Sequence, residues 1–218
     1  MDREPRIWAR AILFSTSLTL LVCTGCSLIS TAAYIVTPND TSAEFTGLDG
    51  KRVAVICRSA SIGYAHPTAG RDLATAVGKL IAKNGRKVEI IDERELADWV
   101  DKNDWDEYYE VGRALKADMV VGIDLEHFEI AREQTLYQGN ADVVLSVYDI
   151  KSGKKSPVWD KNPPTVMYPT QPVSSADHSE AEFRKRYLAV LAHNIGKNFY
   201  KHDSRADFAP DSTVLGVR

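Results

Sequence analysis

Cysteine is scarce in this chain: Cys23, Cys26 and Cys57 are the whole complement. The first two share a short N-terminal stretch, which leaves Cys57 alone in the body of the protein. A fold without an internal disulfide must rest on its apolar core. Cys57 closes a short apolar run, so it fits the role of a small buried hydrophobe better than that of a reactive thiol. An excess of one charge is also missing. With 27 Lys and Arg against 30 Asp and Glu, the net charge is −3, which argues against nucleic acid as a partner, since phosphate binding needs clustered cations. Beyond the N-terminus no apolar run approaches the roughly 20 residues of a membrane-spanning helix. The phosphate-cradling patterns Gly-x-x-x-x-Gly-Lys-Ser/Thr and Gly-x-Gly-x-x-Gly are absent, and so is the Gly-x-Ser-x-Gly nucleophile elbow. No cofactor is expected.

The most informative stretch that is present runs Leu20-Leu21-Val22-Cys23-Thr24-Gly25-Cys26-Ser27. It follows Arg3, Arg6 and Arg10 and an apolar run from Ala11 to Val22. A basic start, a short apolar region and small residues before a break describe an export signal. A Cys-x-x-Cys pair can share a metal or a disulfide, but Cys23 and Cys26 lie inside the apolar segment with no second pair downstream. The stretch resembles the lipobox of bacterial lipoproteins, with Cys23 standing where that family usually has Leu. The resemblance implies cleavage before Cys26 and acylation of its thiol and amino group, which would anchor the protein to a membrane. More than one acyl chain is needed for stable anchoring, at about 0.8 kcal/mol per buried methylene. Ser27 after the cysteine, in place of Asp, implies the outer membrane over the inner one. Loss of residues 1–25 would remove three Arg against Asp2 and Glu4, moving the net charge from −3 to −4.

Residues 26–49 are rich in Thr, Ser, Asn, Asp and Gly and read as a flexible tether. The folded domain is expected over 50–202. Val53-Ala-Val-Ile-Cys57 has the pattern of a strand buried on both faces. A loop leads to Pro67, placed for the first turn of a helix, in which Leu73, Val77, Leu80 and Ile81 form one stripe. Asn84-Gly85 is expected to end that helix through a left-handed residue. Lys87 to Ile91 is a second strand. Asp92-x-x-Glu95 and Asp104-x-x-Glu107 read as N-caps of a short helix, 96–100, and of a longer one that buries Tyr108, Val111 and Leu115. Met119-Val-Val-Gly-Ile123 is the most apolar strand and is expected at the centre of the sheet. Alternation changes phase at His127, which predicts a bulge there. Val143 to Ile150 is a further strand, Ser152-Gly-Lys154 a hairpin turn and Pro157-Val-Trp159 an edge strand. Residues 162–176, with four of the nine prolines, read as an irregular loop. Asp177-x-x-Glu180 is expected to cap a last helix carrying Phe183, Tyr187, Leu188, Leu191, Ile195 and Phe199, and 203–218 read as a disordered tail. The expected order is β-α-β-α-α-β-β-β-α: an α/β two-layer sandwich whose mixed sheet has a parallel first half and an antiparallel meander.

Four segments carry a wider resemblance: Arg52 to Ile56, Gly85 to Arg94 followed by Leu96, Gly112 to Val121, and Val147 to Gly153. Together with the element order they are similar to the envelope domain shared by the curli secretion lipoprotein, the penicillin-binding-protein activator lipoproteins and the N-terminal domain of the Tol periplasmic propeller protein. The chain has Lys116 where that group often has Gly, and Cys57-Arg-Ser-Ala60 where it usually has Pro-Phe-x-Asn. The resemblance implies a non-enzymatic, lipid-anchored protein in the periplasm that works through contacts with another envelope protein.

Two sets of residues are candidates for a site. The loop 59–71, with Ser59, Ser61, Gly63, His66 and Gly70, joins a strand to a helix N-terminus, where free N–H groups favour anions. Its bland alternative is a polar surface loop. Trp99, Trp105 and Tyr109, and Met167 with Tyr168 in the Pro-rich segment, are candidate partner contacts, since interfaces favour aromatic anchors. Burial of the aromatics in the core is the competing reading. Asp124, Glu126 and His127 are close in sequence, but side chains along a strand alternate faces, so no metal site is expected. Three functions follow. The first is a protein-binding scaffold or activator. The second is a subunit of an envelope secretion or assembly complex, although a pore would need long amphipathic hairpins and the β-rich stretch 123–159 is needed by the domain's own sheet. The third is a small-ligand binder or hydrolase using the 59–71 loop.

Overall fold

A computed structural model describes residues 40–59, 68–133, 136–174 and 179–203, apart from the side chains of 132, 133 and 170–174. The elements are β1 (Asp40–Thr41), β2 (Arg52–Ser59), α1 (Ala69–Asn84), β3 (Glu89–Ile90), α2 (Glu93–Val100), α3 (Tyr108–Ala114), β4 (Met119–Glu133), β5 (Leu136–Asp149), β6 (Trp159–Lys161), β7 (Val166–Ser174), α4 (Glu180–Gly196) and β8 (His202–Asp203).

The main sheet runs β3-β2-β4-β5-β6, and β7 also pairs with β5. The first three strands are mutually parallel and the rest are antiparallel. This is the mixed α/β sandwich expected from the sequence, with the 119–123 segment central. Strand parity sorts the core. Val53, Val55, Met119, Val121, Ile123, Leu125, Val143, Leu145 and Val147 share one face, where α1 (Leu73, Val77, Ile81) and α4 (Phe183, Tyr187, Leu191, Ile195) cover them. The opposite face carries a smaller cluster of Ala54, Ile56 and Val120 against Tyr108, Val111 and Leu115 of the α3 region. The sandwich therefore has a full helical layer on one side and a partial one on the other. β4 and β5 pair from Met119↔Asp149 to Glu133↔Leu136, with a register shift between Leu125 and His127. That bulge, expected from the phase change, turns Phe128 onto the α4 face, where it stacks on Tyr187 at 5.5 Å.

Several local expectations need correction. The expected tether reaches too far, because Leu48 is 1% exposed and Phe45 packs on the core. Asp40–Thr41 pair with His202–Asp203, and the Phe45 amide donates to the Asn198 carbonyl at 3.0 Å. Residues 26–39 and 204–218 lie outside the described residues. Gly85 is not left-handed: its φ is −76°, and the positive φ falls on Lys87. Glycine is required at 85 by space instead, since a Cβ there would lie 2.7 Å from the Ile81 carbonyl oxygen. Asp92 caps α2 as expected, accepting from the Arg94 amide at 2.8 Å. Asp104 caps nothing, because α3 starts only at Tyr108 with Glu107 before it and no side-chain cap. It has seven residues against eight in α2, so it is not the longer helix. The last helix is capped by Ser179 with Glu182 in a reciprocal capping box, two residues later than the expected Asp177-x-x-Glu180. The Pro-rich 162–176 segment is no irregular loop over most of its length: β7 occupies 166–174 along the edge of β5. Proline is tolerated in a strand at an edge, where its missing N–H breaks no ladder. Pro67 lies outside the described residues; α1 begins at Ala69 after Thr68.

Candidate functional site

The crossings of the chain single out the far end of β2. From β2 the chain goes through α1, on one face, to β3 on one side; it then returns through α2 and α3 to β4 on the other side. Such a reversal of strand order opens a crevice at the carboxyl ends of parallel strands, where α/β proteins place ligands. Two features meet here.

The first is a polar knot between β2, β4 and the start of α3. Arg58 Nε donates to Asp124 Oδ1 at 2.8 Å, and Arg58 Nη1 donates to the Asp106 carbonyl at 3.0 Å. The Tyr108 hydroxyl donates to the same Asp124 oxygen at 3.0 Å, and the guanidinium lies 5.1 Å from the Tyr108 ring centroid. The hydrogen bond to Asp124 raises the pKa of Arg58. Burial, then the Asp124 charge, raises that of the Tyr108 phenol far above its ordinary value. The phenol therefore stays protonated as a donor, and the Arg–Asp pair is satisfied internally. This arrangement ties α3 to the sheet through one carboxylate oxygen shared by Arg58 and Tyr108.

The second is a groove of about 660 Å³ on the other side of β2. Its floor is β2 from Val55 to Cys57. One wall is α1, with Arg71, Ala74 and Lys79, and the other is α2, with Leu96, Ala97 and Val100, ending at Trp105. Gly78 lets α1 lie close to the strands, since a Cβ there would sit 3.3 Å from Ile90. The groove exists because β3 is two residues long and β2 is eight. β3 pairs only with Arg52 and Val53, and its last hydrogen bond to β2 runs from the Ile91 amide to the Val53 carbonyl at 2.9 Å. Asp92 then turns the chain into α2. An exposed ion pair, Arg71 Nη2 to Asp101 Oδ1 at 3.3 Å, links α1 to the end of α2. Cys57 is half-buried, and its thiol is pushed up to about 12, first by burial and then by the Asp124 charge. At neutral pH it is a protonated thiol, a poor nucleophile.

Of the loop residues, Ser59 and Gly70 both line this groove, while Ser61, Gly63 and His66 lie outside the described residues, as does Cys26. Trp105 lines the groove as well, and Trp99 packs against the smaller core cluster. Tyr109 is buried and so is corrected from partner contact to interior. Tyr168 is corrected likewise: it is 8% exposed and lies against Phe183 and Tyr187. Its neighbour Met167 is 55% exposed. Alternation along an edge strand accounts for the pair. Among the described residues no three His, Cys, Asp or Glu side chains gather as metal ligands. Sequence reasoning missed the α2 wall. The signal was the Asp92 cap, which stops β3 before it can match the length of β2.

No family model matches the chain, and no curated protein does. Solved structures do. The PelC dodecamer from Paraburkholderia phytofirmans is similar at 14% identity with a TM-score of 0.43, covering 75% of this chain and 97% of that one. Lipoprotein GNA1162 from Neisseria meningitidis is similar at 8% identity and a TM-score of 0.42, covering 66% and 96%. The LpoB C-terminal domain from Salmonella enterica stands at 12% identity and 0.36, covering 56% and 84%. Bacterial lipoproteins are thus among the chains this one is similar to.

Proposed function

We propose that this is a lipid-anchored cell-envelope protein, held at the outer membrane through Cys26, whose domain binds another envelope protein as a scaffold or activator and catalyses no reaction. The observation that carries this reading is the groove beside β2. It is a preformed apolar cleft, walled by two helices, on a domain whose N-terminal sequence resembles a lipoprotein signal. The polar knot beside it is closed on itself and offers binding rigidity, not chemistry. A second reading, a small-ligand site, is favoured by one observation: Ser59 at the end of β2 and Gly70 in the first turn of α1, on either side of the connecting loop, both line the cleft.

Crosslinking in the native envelope, followed by recovery of the intact lipoprotein, tests the first reading against Cys26→Ala and Ala97→Trp. One envelope protein recovered with the parent, and lost both without the anchor and with the filled cleft, supports it. Recovery of the same proteins with all three forms overturns it.

A further inference from the structure

Resting on the protein-binding reading above, we infer that the groove takes an extended peptide segment of the partner, which adds as a strand to the open edge of β2. The argument begins with the backbone. In a parallel ladder, alternate residues of a strand direct both their N–H and C=O to the same side. On β2, Lys51 and Val53 point toward β3 and are paired there. Val55 and Cys57 are the next in that series, and β3 has already ended. Among the described residues neither makes a backbone bond on that side, although both line the groove. Open backbone groups along a strand edge invite pairing with another strand. A row of them is the template that strand addition uses: main-chain bonds give affinity, and pockets for alternate side chains give selectivity.

The walls then specify the segment. A strand added here would send alternate side chains to the α1 side and the α2 side. The α1 wall carries Arg71 and Lys79 and no acid. Lys79 has no ion-pair partner among the described residues, and Arg71 has only the exposed Asp101, a weak tie. The other wall carries Asp92 and Glu93 at its start and is apolar beyond them, with Leu96, Ala97 and Val100 of α2 and Trp105 after it, so the basic side chains are confined to the α1 side. The complementary segment is therefore extended, with acidic side chains on one parity and apolar side chains on the other. It lies along Val55 to Ser59, a length of about 16 Å at 3.3 Å per residue.

The test uses the full-length lipoprotein in detergent and a labelled capped peptide, Ac-(Glu-Val)4-NH2, followed by fluorescence anisotropy. Three changes should each weaken binding about tenfold or more, the loss expected when one or two hydrogen bonds or charge contacts go. They are N-methylation of alternate peptide amides, Lys in place of Glu in the peptide, and Lys79→Glu in the protein. Charge reversal on both sides, Lys79→Glu with the Lys peptide, should recover part of the loss. Ala97→Trp, on a half-exposed position of the α2 wall, should abolish binding while thermal unfolding stays within a few degrees of the parent. Equal binding of the N-methylated and parent peptides, or undiminished binding to Ala97→Trp, overturns strand addition. An envelope partner that is captured through the anchored form but is indifferent to Ala97→Trp and Lys79→Glu would overturn this inference while leaving partner binding at another surface intact.

Discussion

The two faces of the sheet are built from the same strands and yet hold together differently. The face under α1 and α4 carries one continuous apolar cluster. Phe183 and Tyr187 stack with Phe128, Tyr137 and Tyr168, and the Tyr187 hydroxyl donates to the Val166 carbonyl at 2.8 Å. Even its glycine is filled by this cluster: a Cβ on Gly139 would lie 2.5 Å from the Tyr187 ring. The opposite face has a handful of apolar residues, and polar ties do the rest, with Arg58, Tyr108 and Asp124 at one end of β2 and Arg52 and Asp118 at the other. One face is held by area and the other by specific partners. The difference assigns global stability to the first; the cleft belongs to neither face alone, since it opens at the edge of β2 between α1 of the first and α2 of the second.

The comparison is tested most severely by Tyr187→Ala. It should cost about 4 kcal/mol, in the range for large aromatic truncations in a core that cannot collapse, read as a shift in denaturant midpoint. A loss under about 1 kcal/mol would mean that the α4 layer does not carry the fold. Leu115→Ala on the opposite face should cost about 2 kcal/mol, the low end for buried leucine, because a small cluster beside an open cleft relaxes more easily; Leu191→Ala under α4 should cost more. Equal losses would erase the distinction between the faces.

Asp118 tests the polar side. It accepts from the Arg52 amide at 2.9 Å and pairs with Lys151 at 2.6 Å, and these lower its pKa, the Arg52 amide first. A carboxylate whose folded pKa lies below its unfolded value of about 3.9 contributes stability that is present above that value and is lost as pH falls through the folded one. Asp118→Asn should therefore cost about 1–2 kcal/mol at pH 7, discounted for its partial exposure, and the gap to the parent should close below about pH 4. A gap that persists at pH 2 would assign the loss to packing. The smallest effect is expected from Arg71→Ala: its exposed pair with Asp101 should be worth less than about 0.5 kcal/mol in unfolding. A larger loss would mean that this pair fastens the two helices and closes the cleft.

Much of this was legible in the residues. The bulge could be read from the parity of Leu125 and Phe128, because a strand with one buried face registers every inserted residue. The central position of Met119 to Ile123 followed from apolar character on both parities. The Asp92 cap of α2 was legible too, although the helix begins at Glu93 and not at 96. Caps were misread where two acidic signals competed: Asp104 lost to a later start at Tyr108, and Asp177 lost to the reciprocal Ser179 and Glu182 pair. The proline-marked segment was misread because proline forbids only the ladder side of a strand, and the sequence does not say which side that is.

By itself, then, the sequence determined the local terms: the order of the elements apart from β1, β7 and β8, which parity of each strand is apolar, and the lipobox-like stretch ending at Cys26. The tertiary structure decided what depends on pairing partners. It made Val166 to Ser174 an edge strand of β5, drew Phe45 and Leu48 into the core, and buried Tyr109 and Tyr168 while exposing Met167. It also set a two-residue β3 beside an eight-residue β2. The cleft is the result of that mismatch in length, and a mismatch exists only once two strands from different parts of the chain lie side by side.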